Sequence, residues 1–173
     1  MKLLEKIYSL RKNPADKMAG IQEVIENLRF LSKGERDIAE FYRLCGDVFA
    51  DEKAFWYDVA KCEQEHAEMA LIMADLIEKE PEKYGPGKSF SVSVIRLFGF
   101  HVENLIERMR KGKILKQELL SVAADLESSV LELCYGDIVR TNVKEYCALA
   151  RKLDEDTKEH RKAFEERMMN MSG

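Results

Sequence analysis

Apolar side chains recur at steps of three and four residues along four long stretches of this chain. Such steps return side chains to one face of an α-helix, because the helix turns once every 3.6 residues. The 173 residues include only 9 Gly and 3 Pro, so the chain has few residues for the turns of a many-stranded fold. The sequence therefore predicts an all-α protein and argues against an all-β one. The first of these apolar stripes contains Ile21, Val24, Leu28, Leu31, Glu35, Ile38, Tyr42, Cys45 and Phe49.

Residues that favour turns divide the chain into two pairs of long helices. A short amphipathic segment precedes the turn at Asn13-Pro14, and a longer helical break contains Pro81 and the run Tyr84 to Gly87. We expect helices at about 2–11, 15–50, 51–80, 91–110, 115–139 and 142–169.

The two halves of the chain show similar spacings, which suggests an internal duplication. Tyr42 precedes His66 by 24 residues, and Tyr135 precedes His160 by 25. We predict one domain over residues 1–173, with four successive parts. They are an N-terminal helical extension (1–27), a first helix pair (28–80), a crossover containing an extra helix (81–114) and a second helix pair (115–169).

Charge and hydropathy restrict the possible partners. The net charge of −4 comes from 32 acidic and 28 basic residues that are mixed along the chain, so no basic patch predicts nucleic-acid binding. No stretch approaches the ~18 apolar residues of a membrane-spanning helix, and the N-terminus lacks the pattern of a signal peptide. We predict a cytoplasmic protein that contacts neither membrane nor nucleic acid.

The four cysteines lie within helical patterns. Cys45, Cys62, Cys134 and Cys147 form no Cys-x-x-Cys pair, so the sequence indicates neither a zinc knuckle nor a redox dithiol. We expect them to act as small buried apolar residues.

Ionisable side chains interrupt the apolar stripe of each long helix. A buried carboxylate costs several kcal/mol unless it is paired or bound to an ion, because it loses its hydration. A metal ion would satisfy several such groups at once, and Glu-x-x-His on one helix can reach a single ion. We therefore expect a metal site between the helices, in the core. Its candidate ligands are Glu35, Glu63, His66, Glu127 and His160.

The same residues admit a simpler interpretation. Glu is abundant here, so a Glu three residues before a His is weak evidence by itself. A buried His is more often hydrogen-bonded than bound to metal, and Tyr42 and Tyr135 could be ordinary core aromatics. His101, in the crossover helix, has no counterpart in the other half, and we interpret it as structural.

The motifs resemble those of the rubrerythrin group of the ferritin-like superfamily, over residues 28 to 168. The stretch from Glu35 to Tyr42 is similar to that family's helix in which a ligand Glu precedes a Tyr by seven. The stretch from Ala60 to Glu68 resembles its Glu-x-x-His helix and contains Glu63 and His66. The resemblance implies a ferritin-like four-helix bundle in which these residues, with Glu127 and His160, bind iron.

The sequence departs from that family's pattern at two positions. Thr157 replaces the bridging Glu of the second motif, and Val130 stands where the family has a further movable Glu. Asp156, four residues before His160, is a shorter candidate to replace the missing carboxylate. The chain also lacks a rubredoxin-like tail, so an electron donor would be a separate protein.

Two hypotheses follow from these residues. The first is a non-haem di-iron peroxidase or oxidase that reduces peroxide or dioxygen. Two ferrous ions roughly 3.5 to 4 Å apart would each give one electron, while Tyr42 and Tyr135 steady the ligand carboxylates. The alternative is a metal-binding or structural bundle with a degenerate site and no redox catalysis. The cofactor is one or two iron ions, with zinc or manganese as other options, and the expected assembly is a homodimer.

Overall fold

Five α-helices form most of the chain that the structure describes, as the apolar periodicity predicts. The computed structural model describes residues 14–87, 92–133 and 135–171, so the amphipathic segment predicted at 2–11 lies outside it. Within these residues, no helix is long and apolar enough to cross a lipid bilayer. The helices are α1 (Pro14–Val48), α2 (Lys53–Lys79), α3 (Val92–Arg110), α4 (Leu119–Leu133) and α5 (Lys144–Met171).

Helix α1 confirms the helix predicted at about 15–50, and it includes residues 14–27 of the predicted N-terminal helical extension. One predicted helix end differs from the structure. Helix α4 ends at Leu133 and not near 139, so Tyr135 lies in a turn after the helix. The apolar pattern predicted too long a helix, because the chain goes on to form a strand. The partner of that strand lies far away in the sequence, so a local pattern cannot predict it.

A small antiparallel strand pair joins the two halves of the chain. Strand β1 (Gly85–Pro86) pairs with β2 (Val139–Arg140), with Gly85 opposite Arg140. The Gly87 N–H then donates to the Ile138 carbonyl at 3.0 Å. A Cβ at Gly87 would lie 2.1 Å from the Asp137 carbonyl oxygen, so only glycine fits here.

The helices pack in pairs around a shared interior. Helix α1 packs antiparallel against α2, as the ion pairs Arg29–Glu78 and Asp47–Lys53 show, while α5 packs against both α4 and α2. Helix α3 lies on the outer side of α1 and runs in the same direction, with Lys33 2.6 Å from Glu103. The interior thus receives one face from each of α1, α2, α4 and α5.

An aromatic cluster fills one end of this interior. The Trp56 and Phe164 rings stack with centroids 5.3 Å apart, and Tyr42 lies 5.4 Å from Phe164 and 5.8 Å from Trp56. All three side chains are fully buried. Because each aromatic ring buries roughly 150–250 Å² of surface, the cluster anchors α1, α2 and α5 to one another.

Candidate metal centre

The structure brings the five predicted ligand residues together in the interior. Glu35 comes from α1, Glu63 and His66 from α2, Glu127 from α4 and His160 from α5. Four of them are at most 2% exposed, and His160 is 12% exposed. They form two groups of three, Glu35–Glu63–His66 and Glu63–Glu127–His160. In each group, one possible ligand atom per residue lies within 4.8 Å of the other two.

Glu63 is common to both groups and lies between the two histidines. Its Oε2 is 2.9 Å from Nδ1 of His66, and its Oε1 is 2.8 Å from Nδ1 of His160. The two imidazole rings stack with centroids 5.6 Å apart. Helix periodicity explains the arrangement on α2, since Glu63 and His66 are three residues apart and share a face.

Several buried atoms of this cluster lack a hydrogen-bond partner. Oε2 of Glu35 has none, and Oε1 of Glu63 and Nδ1 of His160 lie close but are not aligned for a hydrogen bond. A buried polar atom without a partner costs roughly 1–3 kcal/mol. Three such atoms in one cluster therefore favour bound metal, since Glu35 belongs to one ligand group, His160 to the other and Glu63 to both.

The two tyrosines predicted to steady the carboxylates contact the cluster from opposite halves of the chain. The Tyr42 hydroxyl, from α1, donates to Oε1 of Glu127 on α4 at 2.6 Å. The Tyr135 hydroxyl, from the turn after α4, donates to Oε1 of Glu35 on α1. Each half of the chain therefore orients a carboxylate of the other half.

The carboxylates at the two ends of the cluster favour their protonated forms. Burial, together with the negative charge of Glu63, raises the pKa of Glu35 from 4.5 to about 8. Burial and the same charge also raise the pKa of Glu127 well above its ordinary value. A metal ion would have to displace protons from these two groups, so metal binding should release protons at neutral pH.

The central pair favours its charged forms. Burial would raise the pKa of Glu63, but the close contacts with His160 and His66 lower it to about 2. For His66 the directions are reversed. Burial would lower the pKa of this imidazole, but the hydrogen bond with Glu63 raises it to about 9. In the metal-free protein, the buried Glu63 carboxylate is thus stabilised by the positive charge of His66.

Asp156 occupies a different place from the one suggested by the sequence. Its Oδ2 is 3.2 Å from Nε2 of His66 and 2.6 Å from Nζ of Lys152, and it belongs to neither group of ligands. It therefore does not replace the missing carboxylate. A carboxylate that accepts from one imidazole nitrogen fixes the ring and leaves the other nitrogen for a metal, so Asp156 orients His66 towards Glu63. No sequence motif predicted this contact between α2 and α5.

The two departures from the family motif lie at buried positions. Thr157 is 3% exposed and Val130 is 4% exposed. The Thr157 hydroxyl donates to the Leu153 carbonyl at 2.8 Å, so its proton is already engaged within α5. The cluster consequently contains three carboxylates and two imidazoles.

His101 and the described cysteines belong to neither ligand group. His101 is exposed on α3. Cys45 is fully buried as predicted, whereas Cys62 and Cys147 are partly exposed. Cys134 lies outside the described residues.

No protein-family model, curated protein or solved structure matches this chain. The resemblance to rubrerythrins therefore stays a prediction from the motifs, and the chemistry of the site has to be inferred from its geometry and donor atoms.

Proposed function

We propose that the chain is a rubrerythrin-like metalloprotein, a ferritin-like four-helix bundle that binds two iron ions between its helices. The observation that carries this proposal is the pair of buried ligand groups that share Glu63. One oxygen of Glu63 faces His66 and the other faces His160, and in this proposal the carboxylate would serve both ions.

The donor set fits the proposed metal. Carboxylate and imidazole together suit iron, manganese and zinc, and the buried atoms without hydrogen-bond partners supply the lone pairs. Glu35, Glu63 and His66 would hold one ion, and Glu63, Glu127 and His160 the other. Among the residues that the structure describes, both groups consist of carboxylates and imidazoles, which suit these harder metals.

The proposed activity is the reduction of peroxide or dioxygen. Two ferrous ions would supply the two electrons that, with two protons, reduce hydrogen peroxide to two waters. The chain holds the ligands in place through the hydroxyls of Tyr42 and Tyr135 and the carboxylate of Asp156. Burial of the cluster excludes bulk water, and a separate protein would return the electrons.

Metal content tests the proposal directly. The protein is purified without oxygen, reloaded with ferrous iron and analysed for iron per chain, with about two expected for two ligand groups. Glu63→Ala should lose both ions because Glu63 belongs to both groups, while Glu68→Ala, on the exposed face of the same helix, should keep them. Rapid oxidation of the loaded iron by peroxide supports the redox activity. Iron that binds but does not react with peroxide refutes it.

A second candidate function is a metal-binding or structural bundle without redox catalysis. Thr157 and Val130 favour it, because a Thr hydroxyl is a poor metal ligand and a Val side chain cannot coordinate where the family has carboxylates. One ion per chain would support a site that binds a single metal ion in this protein. No bound ion at all, with the helices intact, would support a buried hydrogen-bonded network.

A further inference from the structure

The outer face of α3 carries an exposed apolar ridge. Val94, Leu97 and Phe100 are 50%, 70% and 68% exposed, and they follow one another at steps of three. The opposite face of the helix is buried against α1 through residues such as Ile95 and Val102. Large apolar side chains that cluster on a surface indicate a site of interaction.

The residues beside this ridge follow the pattern of two packed helices. Leu97 and Phe100 take the central positions of a seven-residue repeat. Arg96 and Glu103 flank them on one side, seven residues apart, and Val94 and His101 flank them on the other. This single seven-residue repeat is compatible with a second helix that lies along α3.

We propose that α3 binds α3 of a second copy of the chain, in antiparallel orientation about a two-fold axis. In this arrangement Leu97 packs against Phe100 of the second copy, and the reverse contact forms by symmetry. Val94 lies beside His101 of the second copy, and this contact covers the ends of the ridge.

Charge complementarity selects this partner. The antiparallel arrangement places Arg96 beside Glu103 of the second copy, and the symmetry makes this pair twice. Glu103 contacts Lys33 within its own chain, yet its side chain remains 54% exposed and is available to a second cation. Arg96 is exposed, and its guanidinium lies over the Phe30 ring of α1 at 5.1 Å.

The small area of the ridge predicts a weak association. Helix α3 has 19 residues, which corresponds to a length of about 28 Å. One helix face of this length buries less than the roughly 800 Å² per partner of a typical stable interface. We therefore expect a dimer with a dissociation constant on the order of micromolar, which forms and dissociates in solution.

Sedimentation of the full chain across about 1 to 200 μM tests the association. The wild type should change from monomer to dimer over this range. Leu97→Glu should raise the dissociation constant about 100-fold or more, because each dimer contains the substitution twice. Ile72→Glu, at a 44% exposed apolar position on α2, is the matched control and should leave the association unchanged. A wild type that stays monomeric, or equal weakening by both variants, overturns the proposal.

Charge reversal tests the antiparallel register. Arg96→Glu should weaken the dimer by about 10-fold, and the double variant Arg96→Glu with Glu103→Arg should recover most of that loss. Failure of the double variant to recover refutes the proposed pairing. A dimer that appears only after residues 1–13 are deleted would show that the chain's own N-terminal segment covers the ridge, which also overturns the proposal.

Discussion

Replacing Glu35 with Gln should make the metal-free protein more stable at neutral and alkaline pH. Oε1 of Glu35 accepts from Tyr135, and a Gln carbonyl can accept the same bond. The amide N–H of Gln can in addition donate to the neighbouring Glu63. Gln therefore resembles the protonated form of the side chain, which burial favours at this position.

The magnitude follows from the pKa of Glu35, which rises from 4.5 to about 8 on folding. Below pH 4.5 the side chain is protonated in both the folded and the unfolded chain, and its contribution to stability is fully present. As the pH rises towards 8 only the unfolded chain loses this proton, so the free energy of unfolding falls. At about 1.4 kcal/mol per tenfold change in proton affinity, the loss reaches up to about 5 kcal/mol above pH 8.

The assay is urea unfolding, followed by circular dichroism, of chelator-treated protein between about pH 4.5 and 8.5. The free-energy difference between Glu35→Gln and the wild type should be small at the acidic end. It should grow in favour of the variant by at least about 2 kcal/mol at the alkaline end. Glu68→Gln, at an exposed position, is the control. Parallel stability curves for Glu35→Gln and the wild type would refute the reasoning.

Three further substitutions test other parts of the structure. Asp156→Asn weakens the acceptor that orients His66, so metal affinity measured by competition with a chelator should fall about 10- to 100-fold while the helix content is unchanged. Thr157→Glu adds a fourth carboxylate where the family has one. Calorimetric titration should then show tighter binding of the second ion. A decrease in affinity for that ion would contradict the position assigned to residue 157 beside the site. Phe164→Ala removes the ring that stacks on Trp56, and urea unfolding should show a loss of about 3–5 kcal/mol. A loss below about 1 kcal/mol would show that the aromatic cluster does not hold the helices together.

The sequence by itself determined the all-α class and the residues that face the interior. Helix periodicity is local, so the apolar stripe around Glu35 and the three-residue step from Glu63 to His66 could be assigned without knowing how the helices pack. The burial of Glu35, Glu63, His66 and Glu127 follows from the same periodicity. The family resemblance rests on these local motifs and stays a prediction.

Only the tertiary structure decided which side chains meet. The bond from Tyr42 to Glu127 spans 85 positions, and the one from Tyr135 to Glu35 spans 100. The contact of Asp156 with His66 spans 90. The early end of α4 likewise depends on strand pairing with a segment more than 50 residues earlier. Such contacts depend on the angles and register at which helices pack, and periodicity within one helix carries no information about them.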